Sequence, residues 1–152
     1  MNILGIQYNI NQSALEIYFS GCIGNPHCKG CFSPETWEFD QGTPYNELLN
    51  DISTQIKKFG DMIDKIMLFG GEPLDQDITQ LTSFLNEISK FKKEIWIFTH
   101  YDFDKAKQIL GDLINQIDYI KCGAYKEELK CENNVQYGIK LATSNQKIYK
   151  IN

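Results

Sequence analysis

The segment Ile63–Thr99, IDKIMLFGGEPLDQDITQLTSFLNEISKFKKEIWIFT, changes its hydrophobic period twice. Residues Ile63–Phe69 (IDKIMLF) make a short apolar run that stops at Gly70-Gly71, the pattern of a buried strand. Asp77–Phe91 then places Ile78, Leu81, Phe84, Leu85 and Ile88 along one side of a helix. Glu94–Thr99 (EIWIFT) returns to strand. A strand, a helix and a second strand of these lengths predict a βαβ unit, because parallel strands need a crossover that a hairpin cannot supply.

The same alternation extends in both directions. Ala14–Ser20 (ALEIYFS) reads as a strand ending at Gly21. Pro44–Phe59 reads as a helix with Leu48, Leu49, Ile52, Ile56 and Phe59 inward. Thr43 can cap it, and Pro44 suits its first position, where the missing N–H costs nothing. Phe103–Gln116 is a third expected helix, with Ala106, Ile109, Leu110, Leu113 and Ile114 inward. Tyr119–Gly123, Gly138–Ala142 and Lys147–Ile151 read as further strands. The expected fold class is α/β, a mostly parallel sheet with covering helices, in a single domain over residues 1–152. Sites in such folds gather at the C-terminal ends of the strands. Three segments would meet there: the loop after Ser20, Gly70-Gly71-Glu72-Pro73, and Thr99-His100-Tyr101.

The bulk composition narrows the partners. Of 152 residues, 42% are hydrophobic and 23% charged, which suits a packed core. The net charge is −5 and the lysines are spread along helix faces, so neither nucleic acid nor an anionic membrane is an expected partner. No stretch approaches the roughly 20 apolar residues of a membrane span. The start MNILGIQYNI lacks a basic region and a small-residue cleavage site, so a cytoplasmic location is expected.

Five cysteines are present, an odd number, and Cys22, Cys28 and Cys31 fall in one short loop with spacing C-x5-C-x2-C. In a reducing compartment this points to metal, cluster or redox chemistry rather than to a disulfide framework. Three thiolates can converge on one inorganic centre, and Gly21, Gly24 and Gly30 allow the loop to wrap around it. A structural zinc or an electron-carrying cluster normally fills all four positions with protein ligands. Three ligands leave one position open, as a reactive centre requires. The alternatives are a zinc site completed by His27, Cys122 or Cys131, and a thiol pair at Cys28 and Cys31. Cys122 and Cys131 otherwise read as free cysteines.

Several segments together resemble the radical S-adenosylmethionine superfamily, and within it the activating proteins of anaerobic (class III) ribonucleoside-triphosphate reductase. They are Ser20-Gly21-Cys22, Cys28-Lys29-Gly30-Cys31-Phe32, Glu35-Thr36-Trp37, Gly70-Gly71-Glu72-Pro73-Leu74, Ile95–Thr99 and Ser144-Asn145-Gln146. The resemblance implies an abbreviated, partial radical-SAM β/α barrel. It implies a [4Fe–4S] cluster on Cys22, Cys28 and Cys31, whose fourth iron binds S-adenosyl-L-methionine. Reductive cleavage of that cofactor would yield a 5′-deoxyadenosyl radical, which would generate a glycyl radical on the reductase. Gly30, Cys31, Phe32, Gly70, Gly71, Glu72 and Thr99 are carried over as cofactor contacts, with His100 a further candidate. Phe32 reads either as a platform for the adenine or as a core aromatic. The implied partners are the glycyl-radical subunit of the reductase and a reduced flavodoxin-like electron donor. An activase of the formate-lyase type and a non-catalytic zinc or iron–sulfur module are the rival readings. The sequence departs from the family's pattern in a first gap of five residues rather than three, in Asn9–Ala14 (NINQSA) before the first strand, and in Cys122-Gly123 where an aspartate-glycine pair is common.

Overall fold

In the computed structural model, which describes residues 1–152, the strands of the quoted segment lie at the centre of a seven-stranded sheet. In chain order the elements are β1 (Asn2–Asn9), β2 (Ala14–Phe19), β3 (Thr43–Pro44), α1 (Tyr45–Phe59), β4 (Lys65–Gly70), α2 (Ile78–Ser89), β5 (Glu94–Phe98), α3 (Phe103–Leu110), β6 (Tyr119–Cys122), β7 (Val135–Gln136), β8 (Ile139–Lys140) and β9 (Lys147–Lys150). The sheet order is β3-β1-β2-β4-β5-β6-β9. β2, β4, β5 and β6 are mutually parallel, as the sequence pattern predicts. The flanks are antiparallel: β1 pairs with β2 and β3, and β9 with β6. The sheet is therefore mixed, parallel only at its centre.

Alternation along the strands separates two faces. Leu15, Ile17, Phe19, Ile66, Leu68, Ile95, Ile97 and Ile120 form one buried cluster with Ile52 and Ile56 of α1, Leu81, Phe84, Leu85 and Ile88 of α2, and Ala106 and Leu110 of α3. All three helices thus cover the same face, the outcome of successive crossovers of one hand in one direction. The opposite face carries a smaller cluster of Ala14, Met67, Trp96 and Ile148, closed by Ile139 and Leu141.

Several expected boundaries shift, each for a local reason. Thr43 pairs with Ile3 as strand, so α1 starts at Tyr45 with Pro44 at its cap and no side-chain capping bond. Asp77 caps α2 by accepting from Gln80 N at 2.9 Å, and this leaves Ile78 in the first turn 43% exposed rather than inward. The third helix ends at Leu110 because Gly111 adopts φ +52, and Gly111–Gln116 continue as a 3₁₀ turn. Ile139–Lys140 pairs only with β7 in a separate ribbon, so Gly138–Ala142 does not join the main sheet. β1 has no counterpart in the sequence reading. Asn9–Ala14 is the tight connection between β1 and β2, with Ser13 at φ +48.

Leu68 is fully buried in the helix-side core. Leu68→Ala is expected to cost about 2–5 kcal/mol, the usual range for a cavity in a packed core. Urea unfolding should show the midpoint falling with little change in slope.

Candidate functional site

The C-terminal ends of β2, β4, β5 and β6 open onto a cavity of about 530 Å³. Cys22, Cys28, Cys31 and Phe32 line it from the loop after β2, Gly70, Gly71 and Glu72 from the end of β4, Thr99 and His100 from the end of β5, and Lys121 and Gly123 from β6. The three expected segments therefore meet on one sheet edge. Cys22, Cys28 and Cys31 are free thiols, each half-buried. Three soft sulfur donors in one water-accessible cavity suit an iron–sulfur centre. Cys122 points to the helix side instead, within the main core, and burial pushes its thiol up to about 12. Cys131 is half-buried, pairs its N–H with Ala142 O at 3.1 Å and does not line the cavity.

The cysteine loop is fixed from below by backbone bonds. Gly21 N donates to Thr36 O at 2.8 Å and Cys22 N to Trp37 O at 3.0 Å, so the Glu35-Thr36-Trp37 segment is a support for the loop. Glu72 N donates to Gly21 O at 2.7 Å. Gln76 Nε2 donates to Ser20 O at 3.0 Å and Glu72 O at 3.1 Å. In the longer first gap, Ile23 N donates to Asp75 Oδ2 at 2.6 Å. The His27 ring stacks on Trp37 at 4.1 Å, and its Nε2 lies 3.0 Å from Cys22 O. Ile23 is thus tied to Asp75 and His27 to Trp37, and neither lines the cavity.

The glycines at the end of β4 are required by backbone proximity. A Cβ at Gly71 would lie 2.1 Å from Gly21 O and 2.6 Å from Thr36 O. Gly70 has φ +107, and a Cβ there would lie 2.3 Å from Phe19 N and O. Phe32 is 78% exposed and edge-on to Tyr125 at 5.6 Å, which excludes the core-aromatic reading. Thr99 is buried, and its Oγ1 accepts from Tyr101 N at 3.1 Å. Ser144-Asn145-Gln146 braces the β6 end: Asn145 Nδ2 donates to Ala124 O at 2.9 Å, and Gln146 Nε2 to Gly123 O at 3.3 Å.

Pairings that the sequence does not specify, together with Asp75 and Lys121, complete the site. Glu72 is 1% exposed, and its carboxylate is fully engaged. Oε1 accepts from Leu74 N at 3.0 Å, while Oε2 accepts from His100 N at 2.8 Å and pairs with His100 Nδ1 at 2.7 Å. Burial opposes the charged form of His100, but bonds to the Cys22 thiol and to Glu72 outweigh it and raise its pKa to about 10. Tyr101 OH donates to Asp75 Oδ1 at 2.6 Å, and burial with this bond raises the phenol's pKa. Lys121 points into the cavity, and its Nζ donates to Gly123 O at 2.8 Å. Burial of its ammonium lowers its pKa from 10.5 to about 8 against the opposing charge of Glu72. These groups sit at four separate strand ends, and only strand register brings them together. Glu72, His100 and Tyr101 share a position just after predicted strands, whereas nothing in the sequence singles out Asp75 or Lys121.

Gly71→Ala is expected to destabilise the chain by about 1–3 kcal/mol, as overpacking does. Thermal unfolding should show the loss, and alkylation of Cys22 should quicken relative to Cys131. Lys121 binds its proton less tightly folded than unfolded, so its own contribution to stability should rise with pH across the window from about 8 to 10.5. His100 and Cys122 hold their protons more tightly folded and pull the other way over part of that window, so urea midpoints should fall more steeply with pH above about 8 in Lys121→Met than in the parent chain.

Comparison with known proteins adds independent support. A family model described as a 4Fe-4S single cluster domain matches residues 13–149. The anaerobic ribonucleoside-triphosphate reductase-activating protein of Salmonella typhi is 27% identical over 123 residues, covering 75% of each chain. The protein of the same name from Haemophilus influenzae is 27% identical over 121 residues, covering 74% of each. That from Pasteurella multocida is 27% identical over 145 residues, covering 88% of this chain and 85% of its own. The match runs from β2 into β9 and includes the three cysteines and the β4, β5 and β6 ends that line the cavity, so this chain belongs to the 4Fe-4S single cluster domain family.

Proposed function

We propose that the chain is a radical S-adenosylmethionine enzyme that activates an anaerobic ribonucleoside-triphosphate reductase. The observation that carries this reading is the meeting of three half-buried thiols, Cys22, Cys28 and Cys31, with the Gly70-Gly71-Glu72 strand end in one cavity. The names of the relatives from Salmonella typhi and Haemophilus influenzae support the choice of reductase. The four parallel strands then form an abbreviated radical-SAM β/α barrel, and the chain works as one domain in the cytoplasm.

Cys22, Cys28 and Cys31 would hold a [4Fe–4S] cluster and leave one iron open to S-adenosyl-L-methionine. The bound cluster would supply one-electron reductive cleavage of S-adenosyl-L-methionine, the chemistry by which a glycyl radical would be generated on the reductase. The protein's own work is positioning and exclusion of water. Gly70 and Gly71 bring bare backbone to the cavity wall, so a ligand can approach closely. Glu72 and Thr99 stiffen that wall through bonds to the next loop. Gly30 at φ +78 turns the loop between Cys28 and Cys31, where Cys31 N donates to Cys28 O at 3.1 Å. The exposed Phe32 and the half-buried Tyr125 meet edge-on in the cavity lining, aromatic surface suited to stacking on an adenine. Lys121 and Lys140 both line the cavity, and a carboxylate at the strand ends would pair with Lys121. A reduced flavodoxin-like protein is the proposed electron donor.

Anaerobic reconstitution with iron and sulfide, reduction, and addition of S-adenosyl-L-methionine should yield 5′-deoxyadenosine. Cys28→Ala should abolish both the brown cluster and the product, and Cys131→Ala should retain both. A colourless zinc protein, or a cluster indifferent to S-adenosyl-L-methionine, would contradict the enzyme reading. With a reductase added, electron spin resonance should detect a glycyl radical; product without that radical would point to another glycyl-radical partner.

A further inference from the structure

The proposed cluster uses only thiols, yet one of them sits among donors of two other kinds. Cys22 Sγ, a ring nitrogen of His100 and a carboxylate oxygen of Asp75 all lie within 4.8 Å of one another. All three residues are half-buried, and Cys22 and His100 open onto the cavity. We propose that Cys22, Asp75 and His100 form a mononuclear site for a divalent transition-metal ion, separate from the three-cysteine centre and mutually exclusive with it because both require Cys22.

The supporting shell around these donors is what a metal site needs. Ligating histidines characteristically give their second ring nitrogen to a carboxylate, which fixes the ring and its tautomer. Here Glu72 Oε2 takes His100 Nδ1 at 2.7 Å, and the same oxygen accepts from His100 N at 2.8 Å. That leaves Nε2 as the nitrogen for an ion. Glu72 is itself held by Leu74 N at 3.0 Å, so the ring is anchored to a buried wall. Asp75 is oriented from both sides, with Ile23 N on Oδ2 and Tyr101 OH on Oδ1 at 2.6 Å each. Each oxygen keeps a further lone pair for a cation.

The donor set also selects the ion. One thiolate, one imidazole and one carboxylate match Zn²⁺, Co²⁺ or Fe²⁺ and not Mg²⁺ or Ca²⁺, which favour oxygen alone. Ligand distances of about 2.0–2.3 Å would draw the three atoms together by at most about 1.5 Å. Half-buried side chains on loop ends can make that movement. Binding releases the thiol proton of Cys22, and the fourth position faces the cavity, where water can fill it. Occupation of this site would withhold Cys22 from the loop that carries Cys28 and Cys31.

Co²⁺ alone is the probe, added anaerobically to the chain without sulfide, cofactor or reductase. One ion per chain should bind, with a thiolate-to-cobalt charge-transfer band and tetrahedral visible bands. His100→Ala and Asp75→Asn should each weaken binding by about 100-fold or more, beyond the usual effect of losing an outer-shell partner. His100→Gln replaces His100→Ala if the latter fails to fold by circular dichroism. The double variant Cys28→Ala, Cys31→Ala should bind Co²⁺ as the parent does. Loss of binding in that double variant would overturn the proposal, because the ion would then sit on the cysteine loop. Parent-like affinity in both the His100 and Asp75 variants would overturn it too, leaving these residues as a hydrogen-bonded brace for Cys22. The double variant lacks two of the three proposed cluster ligands, so this result stands or falls apart from the enzyme reading.

Discussion

Glu72 carries a carboxylate into a wall where almost no water reaches, and the surrounding loops are arranged to satisfy it. An unpaired charge there would cost several kcal/mol. Its oxygens take the backbone N–H of Leu74 and both the backbone N–H and the ring of His100. Its own N–H donates to Gly21 O, directly before Cys22. One residue thus joins the ends of β2, β4 and β5. The shape of the cavity depends on that junction, since the glycines beside it leave no room for a side chain to mediate the contact.

The rest of the sheet gives this junction its rigidity. The helix-side face is a continuous core of aliphatic and aromatic side chains, while the other face is only partly filled and closed by the residues around β8. A cavity can persist on the second face because stability is concentrated on the first. The boundary follows from strand alternation alone: Ile66 and Leu68 turn to the helices, whereas Met67 and Phe69 turn to the smaller cluster and the cavity. β2, β4 and β6 meet glycines at positive φ where the chain leaves the sheet, at Gly21, Gly70 and Gly123, while β5 is followed by the buried Thr99.

Much of this was legible in the sequence because it is encoded locally. Ala14–Phe19, Lys65–Gly70 and Glu94–Phe98 are apolar runs with clear ends, and they became the parallel centre. The cysteine spacing and the Gly70-Gly71-Glu72 turn stood out for the same reason. β1 did not, because Asn2–Asn9 mixes polar and apolar residues and is only partly buried. The apolar spacing continues past Gly111 and predicts helix through it, but its positive φ ends the helix. The partnership of Cys22, Glu72, Asp75 and His100 is invisible at sequence level. It exists only because parallel pairing in this register places Phe19 beside Gly70 and Leu68 beside Ile97.

The five-residue gap between Cys22 and Cys28 has a physical role in this arrangement. Its first residue is tied to Asp75 and its last stacks on Trp37, so the additional length is spent on the outside of the loop. All three thiols still reach the cavity, and Cys131 does not. A [4Fe–4S] cluster held by these three thiols, with one iron left open, should give Mössbauer spectra in which one iron site separates from the other three when S-adenosyl-L-methionine is added to protein reconstituted with enriched iron. Iron sites that stay equivalent and unchanged on that addition would contradict it.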